Sequence, residues 1–120
     1  MKNIIILVGV LMLSLTSVYA SAENFKLNNL SIKMIRSVGD YSGTTFDSTI
    51  ELWFTQPLVW PSSSSCTDTN RVYIDSKHSH LISAAYTAFA SDRKININAD
   101  DTLTKRGGAC ELSFLDLLAQ

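Results

Sequence analysis

Beyond its first two dozen residues, this 120-residue chain has no apolar run long enough to cross a bilayer. It also lacks any excess of positive charge. Lys and Arg together number 10 against 11 Asp and Glu, and the only basic pairs are Arg93-Lys94 and Lys105-Arg106. A nucleic-acid binder carries a basic patch or stripe, so this balance argues against nucleic acid and against anionic lipid as partners. Cysteine is nearly absent: Cys66 and Cys110 are the only two, with no C-x-x-C spacing and no adjacent His. There is no G-x-S-x-G elbow, and the serines of Ser62–Ser65 have no His nearby in sequence, so nucleophilic catalysis finds no support. No internal repeat and no second domain are visible.

The first twenty residues have the form of an export signal. Lys2 gives a positive start, Ile4 to Leu15 an apolar stretch, and Val18-Tyr19-Ala20 a small-residue ending suited to signal peptidase, with Ala20-Ser21-Ala22 as a second possible cut. No Cys stands at the junction to carry a lipid anchor. The expectation is a signal peptide over 1–20 and one domain over 21–120, secreted or periplasmic, without a membrane span. Loss of Lys2 leaves a formal charge of about −2 on the mature chain. In an oxidising compartment two cysteines allow one pairing, so a Cys66–Cys110 disulfide is expected. It would contribute roughly 4 kcal/mol in the chain-entropy description, a large share for a domain this small.

Hydrophobic period places the elements. Phe25 to Val38 reads as a strand pair or one bent strand, with a phase change at Asn28-Asn29 that suggests a bulge or turn. Gly39 to Gly43 is a turn. Phe46 to Leu58 alternates, with Phe46, Ser48, Ile50, Leu52 and Phe54 on one face and Asp47, Thr49, Glu51, Trp53 and Thr55 on the other. Pro57 and Pro61 end it. Arg71 to Asp75 is a short strand with Val72 and Ile74 inward and Tyr73 outward. From Ser79 to Ala90 the period becomes helical, with a stripe at Ile82, Ala85, Tyr86 and Phe89 and a cap from Ser76 or Ser79. Lys94 to Asp100 is a strand with Ile95, Ile97 and Ala99 inward. Cys110 to Leu117 is the last, with Cys110, Leu112 and Phe114 on one face. This order is that of an oligonucleotide/oligosaccharide-binding (OB) barrel: mainly β, five antiparallel strands, one helix between the third and fourth. A small α+β sandwich with one helix on an antiparallel sheet is the alternative.

The candidate ligand-binding residues are Trp53, Glu51, Thr55, Tyr73, Asn96 and Asn98. Trp53 falls on the outward face, where a solvent-facing indole suits stacking on a sugar ring, burial at a subunit interface, or a small second core. Tyr41 and Tyr73 are expected to be exposed, and Trp60 to be half-buried under the disulfide. His78-Ser79-His80 reads as an exposed helix start rather than a metal site, because no carboxylate or Cys completes a ligand set nearby in sequence. No catalytic residue, metal or cofactor is expected. Pairs among Asp47, Glu51, Asp100, Asp101, Glu111 and Asp116 would be needed for a small hydrolase.

The stretch Arg71 to Leu117, strand–helix–strand ending in a Cys-bearing strand within an exported chain, resembles the B subunits of bacterial AB-type toxins, most closely the subtilase-cytotoxin and pertussis-like ones. That resemblance implies an OB fold, a pentameric homo-oligomer with Ser79–Ala90 lining its pore, strand edges paired between neighbours, a host glycan or glycoprotein as ligand, and an A-type toxin subunit as partner. It supplies no individual glycan-contacting residue. The expected function is therefore a glycan-binding domain acting by avidity. A periplasmic interaction protein or inhibitor is the second reading, and a small hydrolase the third.

Overall fold

The computed structural model describes residues 24–120; the expected signal peptide and both cleavage positions lie outside them. Six strands and one helix follow in the order β1 (Asn24–Leu30), β2 (Ile32–Val38), β3 (Thr49–Phe54), β4 (Arg71–Asp75), α1 (Ser79–Ala90), β5 (Ile95–Asp100) and β6 (Glu111–Leu117). The fold is mainly β with one helix, as expected. The strands form one six-stranded sheet in the order β1-β5-β6-β4-β3-β2. Five antiparallel strands were expected; the sheet instead has six and is mixed, because β4 and β6 run parallel. The count differs because the bent N-terminal segment divides at Ser31 into two strands with different partners: β1 pairs with β5 and β2 with β3. No ladder joins β1 to β2, yet these two edges of the sheet are consecutive in the chain.

Local chemistry explains most boundaries. The expected irregularity at Asn28-Asn29 is present: the β1–β5 register shifts between Leu27 and Leu30, and Asn29 sits at φ 57°, which Asn tolerates better than most residues. Strand β3 is shorter than its alternation implied. Ser48 at φ 52° interrupts extension on the N-terminal side, and Thr49 Oγ1 donates to the Phe46 carbonyl across that corner.

Several faces differ from their periodic reading. In β3, Ile50, Leu52 and Phe54 enter the core as expected, but Thr49 and Glu51 on the opposite face are buried as well. In α1 the buried residues are Leu81, Ala85 and Ala88, while Tyr86 (42 % exposed) and Phe89 (46 %) face away. The small alanines let the backbone lie close to β2 and β6, which rotates the large aromatics outward. The helix begins at His78 with no side-chain cap, so neither Ser76 nor Ser79 plays that part. In β6 the register passes from Ala99↔Leu112 to Asn98↔Phe114, leaving Ser113 as an extra residue. That bulge reverses the phase, and Phe114 lies exposed rather than beside Leu112.

One main core joins Leu52, Leu58, Val72, Ile74, Ile95, Ile97 and Leu112 with the helix residues Leu81, Ala85 and Ala88. The expected Cys66–Cys110 disulfide is present, with a Cα–Cα distance of 5.8 Å. Both half-cystines are buried with Ala99, and Trp60 packs half-buried against them, its indole N–H donating to the Asp68 carbonyl at 2.8 Å. Among the described residues, no helix is long and apolar enough to cross a membrane.

Candidate functional site

Cross-strand pairing sets Arg36 opposite Glu51, Glu51 opposite Tyr73, and Tyr73 opposite Glu111, so four polar residues share one row on the outer face of β2, β3, β4 and β6. Glu51, at 1 % exposure, is the hub of this row. Its Oε1 lies 2.7 Å from Arg71 Nη1, its Oε2 lies 3.6 Å from Arg36 Nη1, and it accepts the Trp53 indole N–H at 3.1 Å. Arg71 is held further by Asp68 at 2.9 Å and by donation to the Gly107 carbonyl. A buried carboxylate needs such pairing, since an isolated one would be strongly penalised. Glu51 was expected on the open surface; it is instead the internal anchor of an ion-pair cluster.

Trp53 is half-buried beside that cluster. The guanidinium carbons of Arg36 and Arg71 lie 5.3 and 5.2 Å from its ring centroid, within cation–π range. Arg36 is half-exposed, so part of this aromatic and cationic group is open to solvent.

Tyr73 corrects a second expectation. It is buried, not outward, at 1 % exposure. Its hydroxyl donates to the Thr104 carbonyl and lies 3.2 Å from Glu111 Oε2, while the Arg106 guanidinium stands 5.7 Å from its ring. Burial raises its pKa above the ordinary phenol value, and the Glu111 charge adds to the rise. Arg106 also pairs with Asp75 at 2.9 Å. The Asp75 carboxyl is pulled below its ordinary value chiefly by the Lys77 backbone N–H, then by Arg106, against the opposing effect of burial. Thus the segment 102–108 folds over the outer face of β4 and hides Tyr73.

The remaining candidates lie elsewhere. Asn96 and Asn98 are on β5, separated from β3 by β6 and β4 in the sheet. Asn98 is buried rather than outward, and its amide donates to Asn24 Oδ1 at 2.8 Å and Ser113 Oγ at 3.0 Å. Asn96 accepts the Asn29 N–H at 3.0 Å and donates to Asp116 at 3.4 Å. Thr55 is exposed just past β3 and bonds its neighbour Gln56. The six candidates therefore do not converge on one surface. Glu51, Trp53 and Tyr73 share the β3–β4 region, with two of the three buried.

An open cleft of about 510 Å³ lies between the end of β2 and the following turn, lined by Arg36, Ser37, Val38, Gly39, Asp40, Tyr41 and Phe46; Trp53 does not line it. Tyr41 is 55 % exposed, as expected, and its ring meets Phe46 edge-on at 5.6 Å. Neither the Tyr41 hydroxyl nor the Asp40 carboxylate has a partner among the described residues. Arg36 belongs both to this cleft and to the Trp53 cluster. Periodicity marked Trp53 but not Arg36, because Arg36 becomes its neighbour only through the β2–β3 register.

His78 starts the helix as expected, but a carboxylate distant in sequence is near it: Glu111 Oε1 lies 3.8 Å from His78 Nε2. Among the described residues, no group of three or more His, Cys, Asp or Glu side chains is placed to hold a metal ion. Asp100 and Glu111 are register partners, the sole such pair among the carboxylates considered for hydrolysis, and Asp100 is engaged with Thr102.

No protein-family model matches this chain, and no curated protein matches its sequence.

Proposed function

We propose that this is an exported, glycan-binding domain with an OB-like barrel that works as a homo-oligomer. The observation that carries the ligand class is the Tyr41 cleft: an exposed aromatic ring, a hydroxyl and a carboxylate without a partner among the described residues, and the half-exposed Arg36 leading to Trp53. Sugars are held by such a combination of stacking and free polar groups in a shallow, wet site. Tyr41 and Trp53 offer the rings; Asp40 and Arg36 offer hydrogen bonds to hydroxyls. Glu51 acts behind them, fixing Arg36 and Trp53.

The barrel reading is supported by the order of the sheet. If β1 and β2 are taken as one bent strand across Ser31, the order becomes cyclic, the helix lies between the third and fourth strands, and the third and fifth are parallel. Self-association is supported by α1, which has no Asp, Glu, Lys or Arg from Ser79 to Ala90 yet presents Tyr86 and Phe89 to solvent. A pentamer with a separate A-type subunit is the toxin-like form of this assembly. The same outward aromatics favour the second reading, a periplasmic interaction or inhibitor protein.

A glycan array with the mature protein, run beside Tyr41→Ala and Trp53→Ala, tests the ligand class, and light scattering gives the assembly. Selective enrichment that Tyr41→Ala reduces about tenfold or more supports it. A monomer that binds no glycan, or binding indifferent to both substitutions, refutes it; a one-to-one complex with another protein favours the second reading.

A further inference from the structure

The end of α1 builds a second cleft, away from Tyr41. Asp92 takes φ 53°, its N–H donates to the Phe89 carbonyl, the Arg93 N–H donates to Ala88 at 2.9 Å, and the Ser91 N–H donates to Thr87 at 3.0 Å. This Schellman-type closure occupies the last helix carbonyls, so the cleft beside it presents side chains rather than a bare negative helix end. The cleft measures about 420 Å³, within the range of small-molecule sites. Arg93 and Lys94 supply its cationic side chains and Asp92 its one acidic side chain; Asn29 and Gln120 contribute amides, and Leu118 and Ala119 an apolar surface. The Gln120 amide donates to the Ser91 carbonyl at 2.6 Å, tying the tail to the helix end.

Arg93 is the feature that needs explaining. Its Nε is buried and has no hydrogen-bond partner among the described residues. Neither Arg93 nor Lys94 enters an ion pair among those residues, although Lys26, Arg36, Arg71 and Arg106 all do. Guanidinium does not shed its proton in proteins, so a buried donor without an acceptor is unfavourable until an oxygen reaches it.

We propose that this cleft binds a small organic carboxylate. Arg93 offers the fork of N–H donors that a carboxylate accepts in bidentate fashion, Lys94 adds a second positive charge, and Leu118 and Ala119 cover the carbon frame. The Asp92 carboxylate opposes an anionic ligand by like-charge repulsion. The inference does not depend on the glycan reading, since the residues of the two clefts do not overlap.

The test follows the Arg93 Nε–H resonance by NMR while the mature protein is titrated with sodium glucuronate, and separately with sodium sulfate, at fixed ionic strength. A saturable glucuronate shift is expected, with sulfate at least about tenfold weaker. Arg93→Lys, read through the backbone amides of Lys94 and Leu118, should weaken glucuronate about tenfold or more, Asp92→Asn should tighten it, and Tyr41→Ala should leave it unchanged. If Arg93→Lys fails to fold, Lys94→Gln takes its place and should weaken binding severalfold. No saturable shift, an equal response to sulfate, or unaltered affinity in the substituted protein overturns the proposal.

Discussion

Tyr73 shows how one side chain can couple this outer face to pH. Its hydroxyl holds the Thr104 carbonyl, and burial raises its pKa. A raised acid pKa means stability that is complete below the ordinary value of 10.0 and is lost as pH climbs toward the folded value. Asp75 has the opposite sign: the interactions that depress it stabilise the fold above its ordinary 3.8 and fade as pH falls through the folded value. Tyr73→Phe should cost about 1–3 kcal/mol at neutral pH by stranding a carbonyl, and should flatten the alkaline limb of stability. Asp75→Asn should flatten the acid limb. Thermal unfolding followed from pH 3 to pH 11 checks both; unchanged limbs would separate these residues from the pH response.

At the scale of elements, the close approach of α1 to the sheet rests on Ala85 and Ala88, both buried. Ala85→Leu should destabilise by about 1–3 kcal/mol through overpacking, whereas Phe89→Ser should leave monomer stability nearly unchanged and weaken any self-association. Chemical denaturation and light scattering distinguish the two. The same helix shows where sequence reading stops. Its position and length were legible from its period, but choosing which of two apolar stripes is buried required knowing how near the sheet stands. The bulge at Asn29 was legible because the apolar phase changes at Asn28-Asn29; the bulge at Ser113 was not, since Leu112 and Phe114 keep an unbroken alternation in the sequence. Alternation put Ile50, Leu52 and Phe54 inside correctly. It could not show that Glu51 and Tyr73 are buried too, because their partners, Arg71 for Glu51 and Thr104 for Tyr73, lie far from them in sequence. The aromatic half of the candidate site was therefore readable in Trp53 and Tyr41, and the cationic half was not.

Across the whole molecule, the disulfide joins the Ser-rich loop to the start of β6, closing a separation of 44 residues that contains β4, α1 and β5. Replacing Cys66 and Cys110 together by Ser should cost about 2–5 kcal/mol, seen as a lower denaturation midpoint with the sheet and helix signals retained when folded. A loss below about 0.5 kcal/mol would show that the core holds this region without the link.

Ser31 has a consequence of another kind. It is the lone residue between two strands that sit at opposite ends of the hydrogen-bonding order. Peeling away either outer ribbon must tug on the other through a single peptide unit. Amide exchange from Asn24–Leu30 and Ile32–Val38 should therefore proceed at matched rates, as one cooperative opening shared by both borders of the sheet.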